Sequence, residues 1–205
     1  MAVRARVSVG LDLAGSPRRT TGFCRLSVGL AAELAPLYDD EEIVSRTIAA
    51  RPAIVSVDAP LSLPRGRRTI DDRAGPHLRA CDRELLRRRI RFFPITLGPM
   101  RMLTTRGLRL KARFESAGLR VVESYPGGAQ DVLGIARKQA GVERLRRALV
   151  RAGLSGDLRH RGLSHDELDA ATSAWVGRMI LDGQAEALGD PEEGLLYLPT
   201  ARGAQ

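Results

Sequence analysis

The stretch "VGLDLAGS", residues 9–16, constrains this chain more than any other. Around it Val3, Ala5, Val7, Val9, Leu11 and Leu13 alternate onto one face, the pattern of a strand with one side in a core. Asp12 falls on the other face with Ser8 and Gly10. Strand interiors are depleted of aspartate, and a carboxylate is costly to bury unless it is paired or bound to a cation. The fold must therefore compensate Asp12, or let it accept backbone hydrogen bonds in the turn that follows.

The rest of the chain places further acids at comparable points. "GSPRRT" reads as a turn, "TGFCRLSVGL" and "AAELAPLY" as a second and third strand, and the three together as an antiparallel meander. "DDEEIVSRTIAA" is helical, with its acids in the first turn. "PAIVSVDAP" is a buried strand ending at Asp58 and Pro60. After a loop come two basic helices, "HLRACDRELLRRRI" and "MRMLTTRGLRLKARFESAG". "LRVVESYP" is a strand ending at Glu123 and Pro126, followed by helical "AQDVLGIARK" and "GVERLRRALVRAG". "LSHDELDAATSAWVGRMIL" carries a capping box, Ser164 with Glu167, and a staple, Leu163 with Leu168. The tail holds one apolar stretch, "GLLYLP", read as a last edge strand or a packed arm. This order predicts a mixed α/β domain with an antiparallel start.

Asp12, Asp58 and Glu123 thus sit at or near strand ends, and Asp166 and Asp169 share a helix face three residues apart. In open α/β sheets, sites collect where strand ends meet helix N-termini. Acids converging there need a hard divalent cation, and Mg²⁺ is the usual one. No histidine or cysteine cluster favours zinc. Each acid also has an ordinary alternative. Asp58 fits a turn, Glu123 an ion pair with an arginine such as Arg120, and Asp166 a favourable first-turn charge, whereas Asp169 lies deeper in the helix, past the useful range of the dipole, which weakens its alternative. Gly127-Gly128 reads equally as a phosphate approach point or a helix start after Pro126.

Charge adds a second theme. The 205 residues carry a formal net charge of +9, almost entirely through arginine. Residues 65–91 hold ten arginines against four acids, and residues 101–120 six basic residues against one. A basic middle on a near-neutral frame suggests a polyanion partner, or simply a solvated face. Aromatic residues are only 4% of the chain, which argues against a single-strand stacking surface. There is no P-loop, dinucleotide-binding glycine motif or serine-nucleophile elbow. No apolar run approaches the ~18 residues of a membrane span, and no signal peptide is apparent. Two cysteines, Cys24 and Cys81, are too few for a disulfide framework and read as buried thiols in a reducing cytoplasm.

Taken in order, "GLDLAGS", "VSVDAPLSLP", "RACDRELLRRRIRFFP", "VVESYPGGAQDVLGI", "SHDELDAATSAWVGRM" and "GDPEEGLLYLP" resemble the family known as domain of unknown function 429. These are predicted nucleases of the ribonuclease H-like fold. The resemblance runs from about residue 8 to 199. It implies a single domain over residues 1–205 with an arginine-rich helical insertion at about 65–118. It also implies a five-stranded mixed sheet, the first three strands antiparallel, flanked by helices.

The activity so implied is divalent-metal-dependent hydrolysis of phosphodiester bonds in nucleic acid, DNA or RNA, with Mg²⁺ or Mn²⁺ as cofactor. Asp12, Asp58 and Asp169 are the expected metal ligands. Glu123 and Asp166 complete the expected catalytic set. Arg79, Arg83, Arg87, Arg106, Arg109 and Lys111 are expected to meet phosphate. A cytoplasmic protein without membrane contact is expected. Resolvase-type relatives are often dimers, so a homodimer stands among the expected states. Two other functions remain open: a non-catalytic nucleic-acid-binding module of the same fold, and a phosphohydrolase or phosphotransferase acting on a small phosphate compound.

Overall fold

The antiparallel meander is present. In a computed structural model describing residues 7–160 and 162–200, β1 (Ser8–Asp12), β2 (Thr21–Leu26) and β3 (Ala31–Leu37) run antiparallel in sequence. Val3 and Ala5, assigned above to the first strand, lie outside the described residues. Helix α1 (Asp40–Ala49) crosses to β4 (Ile54–Asp58), which pairs parallel with β1. Helices α2 (Ala80–Arg87) and α3 (Gly98–Ser116) lead to β5 (Val121–Ser124), parallel to β4. Then come α4 (Pro126–Val132), α5 (Val142–Arg151), the short β6 (Ser155–Gly156), α6 (His165–Leu181), β7 (Ala185–Asp190) and β8 (Gly194–Pro199).

The sheet has eight strands, not five, in the order β6-β3-β2-β1-β4-β5-β8-β7. The expected five form its middle. The additions cover their edges, which would otherwise present unpaired N–H and C=O groups. β6 pairs parallel with β3, and β8 pairs parallel with β5 through Glu123↔Leu196. "GLLYLP" is therefore an inner strand. The outer edge is β7, whose sequence "AEALGD" suits a helix as well as a strand; pairing with β8 settles it.

The two faces of β1 and β4 differ in side-chain size. On one, Val9, Leu11, Val55 and Val57 pack with Ile43 of α1 and with Leu110 and Phe114 of α3. On the other, Ser8, Gly10 and Ser56 receive α6. A Cβ on Gly10 would lie 2.1 Å from Ala170 O, and one on Gly22 2.0 Å from Asp166 O. The helix thus rests on the strand backbone, and only glycine fits beneath it. Gly177 of α6 repeats the device, its Cα facing Ser8, Ile54 and Ser56. Ser8 Oγ donates to Ala174 O at 2.7 Å.

The start of α6 is as the sequence predicts. Ser164 Oγ accepts from Glu167 N at 3.2 Å, and Glu167 Oε2 accepts from Ser164 N at 2.8 Å. Cys24 and Cys81 are both free and buried. Among the described residues no helix is long and apolar enough to cross a membrane.

Candidate functional site

Asp12 and Asp58 are the last residues of β1 and β4 and stand directly opposite each other in parallel register. Both fall on the α6 face, two residues beyond Gly10 and Ser56. Asp12 also pairs with Gly22, on which the first turn of α6 rests. That close approach brings Asp166 to Asp12, and the two line one cavity of about 260 Å³. Asp169, one turn further along, lines a neighbouring cavity of about 430 Å³ together with Asp58. Arg19, Met100 and Leu103 border both. A third cavity, about 360 Å³, meets the first at Gly15 and Met102 and ends among Arg101, Arg106 and Arg109. The four aspartates therefore line two adjoining cavities of one trough, a pair in each, with arginines toward both ends.

Asp169 is 3% exposed and accepts from Gln130 Nε2 at 2.8 Å. Gln130 is buried too, and the same nitrogen reaches Thr172 Oγ1 at 3.3 Å. Gln130 therefore holds Asp169 in position, a role no sequence periodicity marks. Gly127 and Gly128 lie in the first turn of α4, behind Pro126, which settles their reading as a helix start. A Cβ at Gly128 would come 2.8 Å from the Tyr125 ring.

Glu123 reaches the cavity shared by Asp58 and Asp169 from the other face of the sheet. The pairing Val57↔Glu123 puts it on the α1–α3 face, opposite to Asp58. There Arg79 grips it at 2.6 and 2.8 Å, and Leu61 N donates to it at 2.7 Å. The same guanidinium binds Asp82 at 2.9 and 3.1 Å. All three side chains are at most 5% exposed. Burial opposes the Arg79 charge, but Glu123 and Asp82 outweigh it and hold its pKa above the ordinary arginine value. The ordinary alternative for Glu123, an arginine partner, is met by Arg79 rather than Arg120. One residue on, Ser124 comes alongside Asp58 and continues the row.

The expected phosphate-contacting cations all have partners. Arg79 is enclosed as described. Arg106, 3% exposed, donates to Asp40 Oδ1 at 2.8 Å and to the carbonyls of Ala14 and Tyr38, each at 2.7 Å. Arg109 also binds Asp40. Arg83 donates to Leu78 O, Arg87 pairs with Glu84 at 2.7 Å, and Lys111 lies 3.7 Å from Glu115. Exposed pairs of this kind exchange readily with solvent, so Arg83, Arg87, Arg109 and Lys111 stay accessible to an anion. Arg79 and Arg106 are committed to the interior. Arg19 is different. It lies where the two acid-lined cavities meet, has no ion-pair partner among the described residues, and was read from sequence only as part of a turn.

Among the described residues no three His, Cys, Asp or Glu side chains are grouped as ligands of one ion. The donors that the aspartates bring to the trough are nonetheless all carboxylates, the chemistry that suits Mg²⁺ or Mn²⁺ rather than a softer metal.

Comparison with solved structures finds likeness to RuvC. One is T. thermophilus RuvC in complex with Holliday junction substrate, with a TM-score of 0.47, 15% identity, and coverage of 87% of this chain and 96% of that one. Another is a Thermus thermophilus RuvC structure, with a TM-score of 0.43, 15% identity, and coverage of 86% and 96%. Comparison with curated proteins finds no match. Residues 10–194 match the family model described as Protein of unknown function (DUF429), and the chain belongs to that family.

Proposed function

We propose that this chain is a divalent-metal-dependent nuclease of the ribonuclease H-like class, hydrolysing phosphodiester bonds in DNA or RNA. The observation that carries the reading is that Asp12 with Asp166, and Asp58 with Asp169, line adjoining cavities of a trough that also holds arginines. Asp12, Asp58 and Asp169 would hold Mg²⁺ or Mn²⁺. Such an ion supplies an activated water and stabilises the leaving oxygen. Asp166 orients the attacking water from the Asp12 side. Gln130 keeps Asp169 turned into the trough. Arg19 offsets the phosphate charge, while Arg101 and Arg109 attract the next phosphates along the strand. Glu123 acts at one remove, by fixing Leu61 and the start of α2 through Arg79.

The test is calorimetric titration of Mn²⁺ into the wild type and Asp12→Asn, followed by cleavage of linear and branched DNA and RNA. Micromolar-to-millimolar binding, lost together with cleavage in the variant, is expected. Equal binding and equal cleavage in the two proteins overturns the reading.

A second reading, hydrolysis of a phosphoester in a small compound, is favoured by the enclosure of Arg79 and Arg106, which removes two cations from the surface open to a long polyanion. Thermal shifts with mononucleotides but none with oligonucleotides would select it.

A further inference from the structure

The 430 Å³ cavity extends well beyond Asp58 and Asp169. Its lining also includes Phe92, Phe93 and Tyr125, with Leu85 and Leu196. Two of the chain's four phenylalanines and one of its three tyrosines are thus gathered in one place, a concentration that the overall aromatic content hides. Phe93 is 68% exposed, an expensive position for a large apolar ring that nothing covers. Arg137 stacks over the Tyr125 ring, 5.6 Å from its centre, and both border the cavity. Polar groups share the lining, Gln130 and Gln139 among them, beside the charged Arg79, Asp82 and Glu123. Ser124 also borders the cavity, but its Oγ is closed off from it and has no hydrogen-bond partner among the described residues.

We infer that this cavity is a nucleobase subsite: a base enters beside the aspartates, lies against Phe92, Phe93 or Tyr125, and turns its polar edge to the polar side chains of the lining. The chemistry matches the occupant. A base has flat π faces for the rings, a polar rim for one or two fixed groups, and a volume that suits the space. It also arrives tethered to the phosphate that the aspartates require. A purely aliphatic ligand would leave the polar lining unmatched, and a sugar phosphate alone would leave the aromatic wall bare. The inference rests on the phosphoester reading but concerns binding, and so can be tested without turnover.

The experiment is calorimetric titration of AMP, CMP, GMP, UMP and ribose 5-phosphate into the full chain, Phe93→Ala and Ser124→Ala. Base stacking contributes about 1–3 kcal/mol, so at least one nucleotide should bind about tenfold or more tighter than ribose 5-phosphate. Phe93→Ala, at an exposed position that leaves the fold intact, should cut that advantage severalfold and leave ribose 5-phosphate binding unchanged. Ser124→Ala, whose Oγ is closed off from the cavity, should leave the preference among the four bases unchanged. Equal affinity for all five compounds, or no nucleotide binding at millimolar concentration, overturns the inference. A nuclease that cleaves abasic strands as fast as intact ones would show the same failure with the nuclease reading still standing. Loss of Asp12-dependent metal binding and cleavage, with nucleotide selectivity retained, would mark the opposite case.

Discussion

The two faces of the central strands solve opposite problems. Toward α1 and α3, β1 and β4 present Leu11, Val55, Val57 and their neighbours, which fill a core with bulk. Toward α6 the same strands present Ser8, Gly10 and Ser56, and the helix sits on their backbone. The difference carries through to β5. Glu123, on the bulky side, is closed within a buried triad with Arg79 and Asp82. Ser124, on the helix side, is buried with its hydroxyl unsatisfied. One face pairs its buried polar groups with one another; the other leaves this hydroxyl unpaired, and both border the same cavity. Alternation along a strand is what lets a single element serve both.

The sharpest way to break the comparison is at Arg79. Arg79→Met leaves Glu123 and Asp82 as buried carboxylates without their cation. Removing one member of a buried charge network costs about 3–5 kcal/mol. For a chain of this size each kcal/mol is worth about 2–4 °C, so the melting temperature should fall by about 6–20 °C. Differential scanning calorimetry reads it directly. A fall of less than a few degrees would mean that the triad is solvated and the closed face is not closed.

Next is the helix side. Gly10→Ala drives a methyl to within 2.1 Å of Ala170 O and 2.2 Å of Ala174 N, both backbone atoms. α6 must lift off the sheet, at a cost of about 3 kcal/mol. Because Asp166 and Asp169 ride on that helix, Mn²⁺ binding should weaken as well. Gly177→Ala meets only Ile54, Ser8 and Ser56 side chains at 3.3 Å, and should cost less than about 1 kcal/mol. Urea unfolding of both variants gives the contrast; equal costs would mean that the helix does not bear on β1.

Much of this was legible in the sequence, for a physical reason. Asp12 among alternating apolar residues, Asp58 before a proline, and the Ser164–Glu167 box are local signals, and each marks where the structure puts a strand end or a helix start. What was not legible depends on pairing between distant segments. The sequence of β7 suits a helix as well as a strand until β8 lies beside it. Arg79 looks like one more cation on a basic helix, and only the β5 register brings Glu123 to it. Gln130 and Ser124 have neither periodicity nor charge to mark them. Arg19 is lost in a turn. Charge counts failed in the same way, because a sum over a segment does not record which cations are already paired.

A third prediction uses pH to separate the faces. On the bulky side Asp40 is partly buried. Desolvation raises its pKa, but hydrogen bonds and charge from Arg106 and Arg109 outweigh this and hold the carboxyl below its ordinary value. A depressed folded-state pKa means that its stabilisation is complete above the unfolded value, about 4, and is lost as pH falls through the lower folded value. Asp40→Asn should therefore melt below the wild type at pH 7, with the gap closing as pH drops below 4. A gap that stays constant from pH 7 to pH 3 would remove Asp40 from the charge network.

The smallest effect lies within the helix face itself, and its sign is the informative part. Ser8 and Ser56 are both fully buried, on adjacent parallel strands, under the same helix. Ser8 Oγ donates to Ala174 O, whereas Ser56 Oγ has no partner among the described residues. Removing a satisfied hydroxyl forfeits about 1 kcal/mol, while removing an unsatisfied one relieves a desolvation cost. Ser8→Ala should lower stability by about 1 kcal/mol, and Ser56→Ala should leave it unchanged or raise it slightly. Measured together by urea unfolding, the pair asks whether the helix face tolerates unpaired polar groups. A loss at Ser56 equal to that at Ser8 would mean that its hydroxyl is bonded in solution. Ser124, whose Oγ is equally closed off and unpaired, should then behave in the same way.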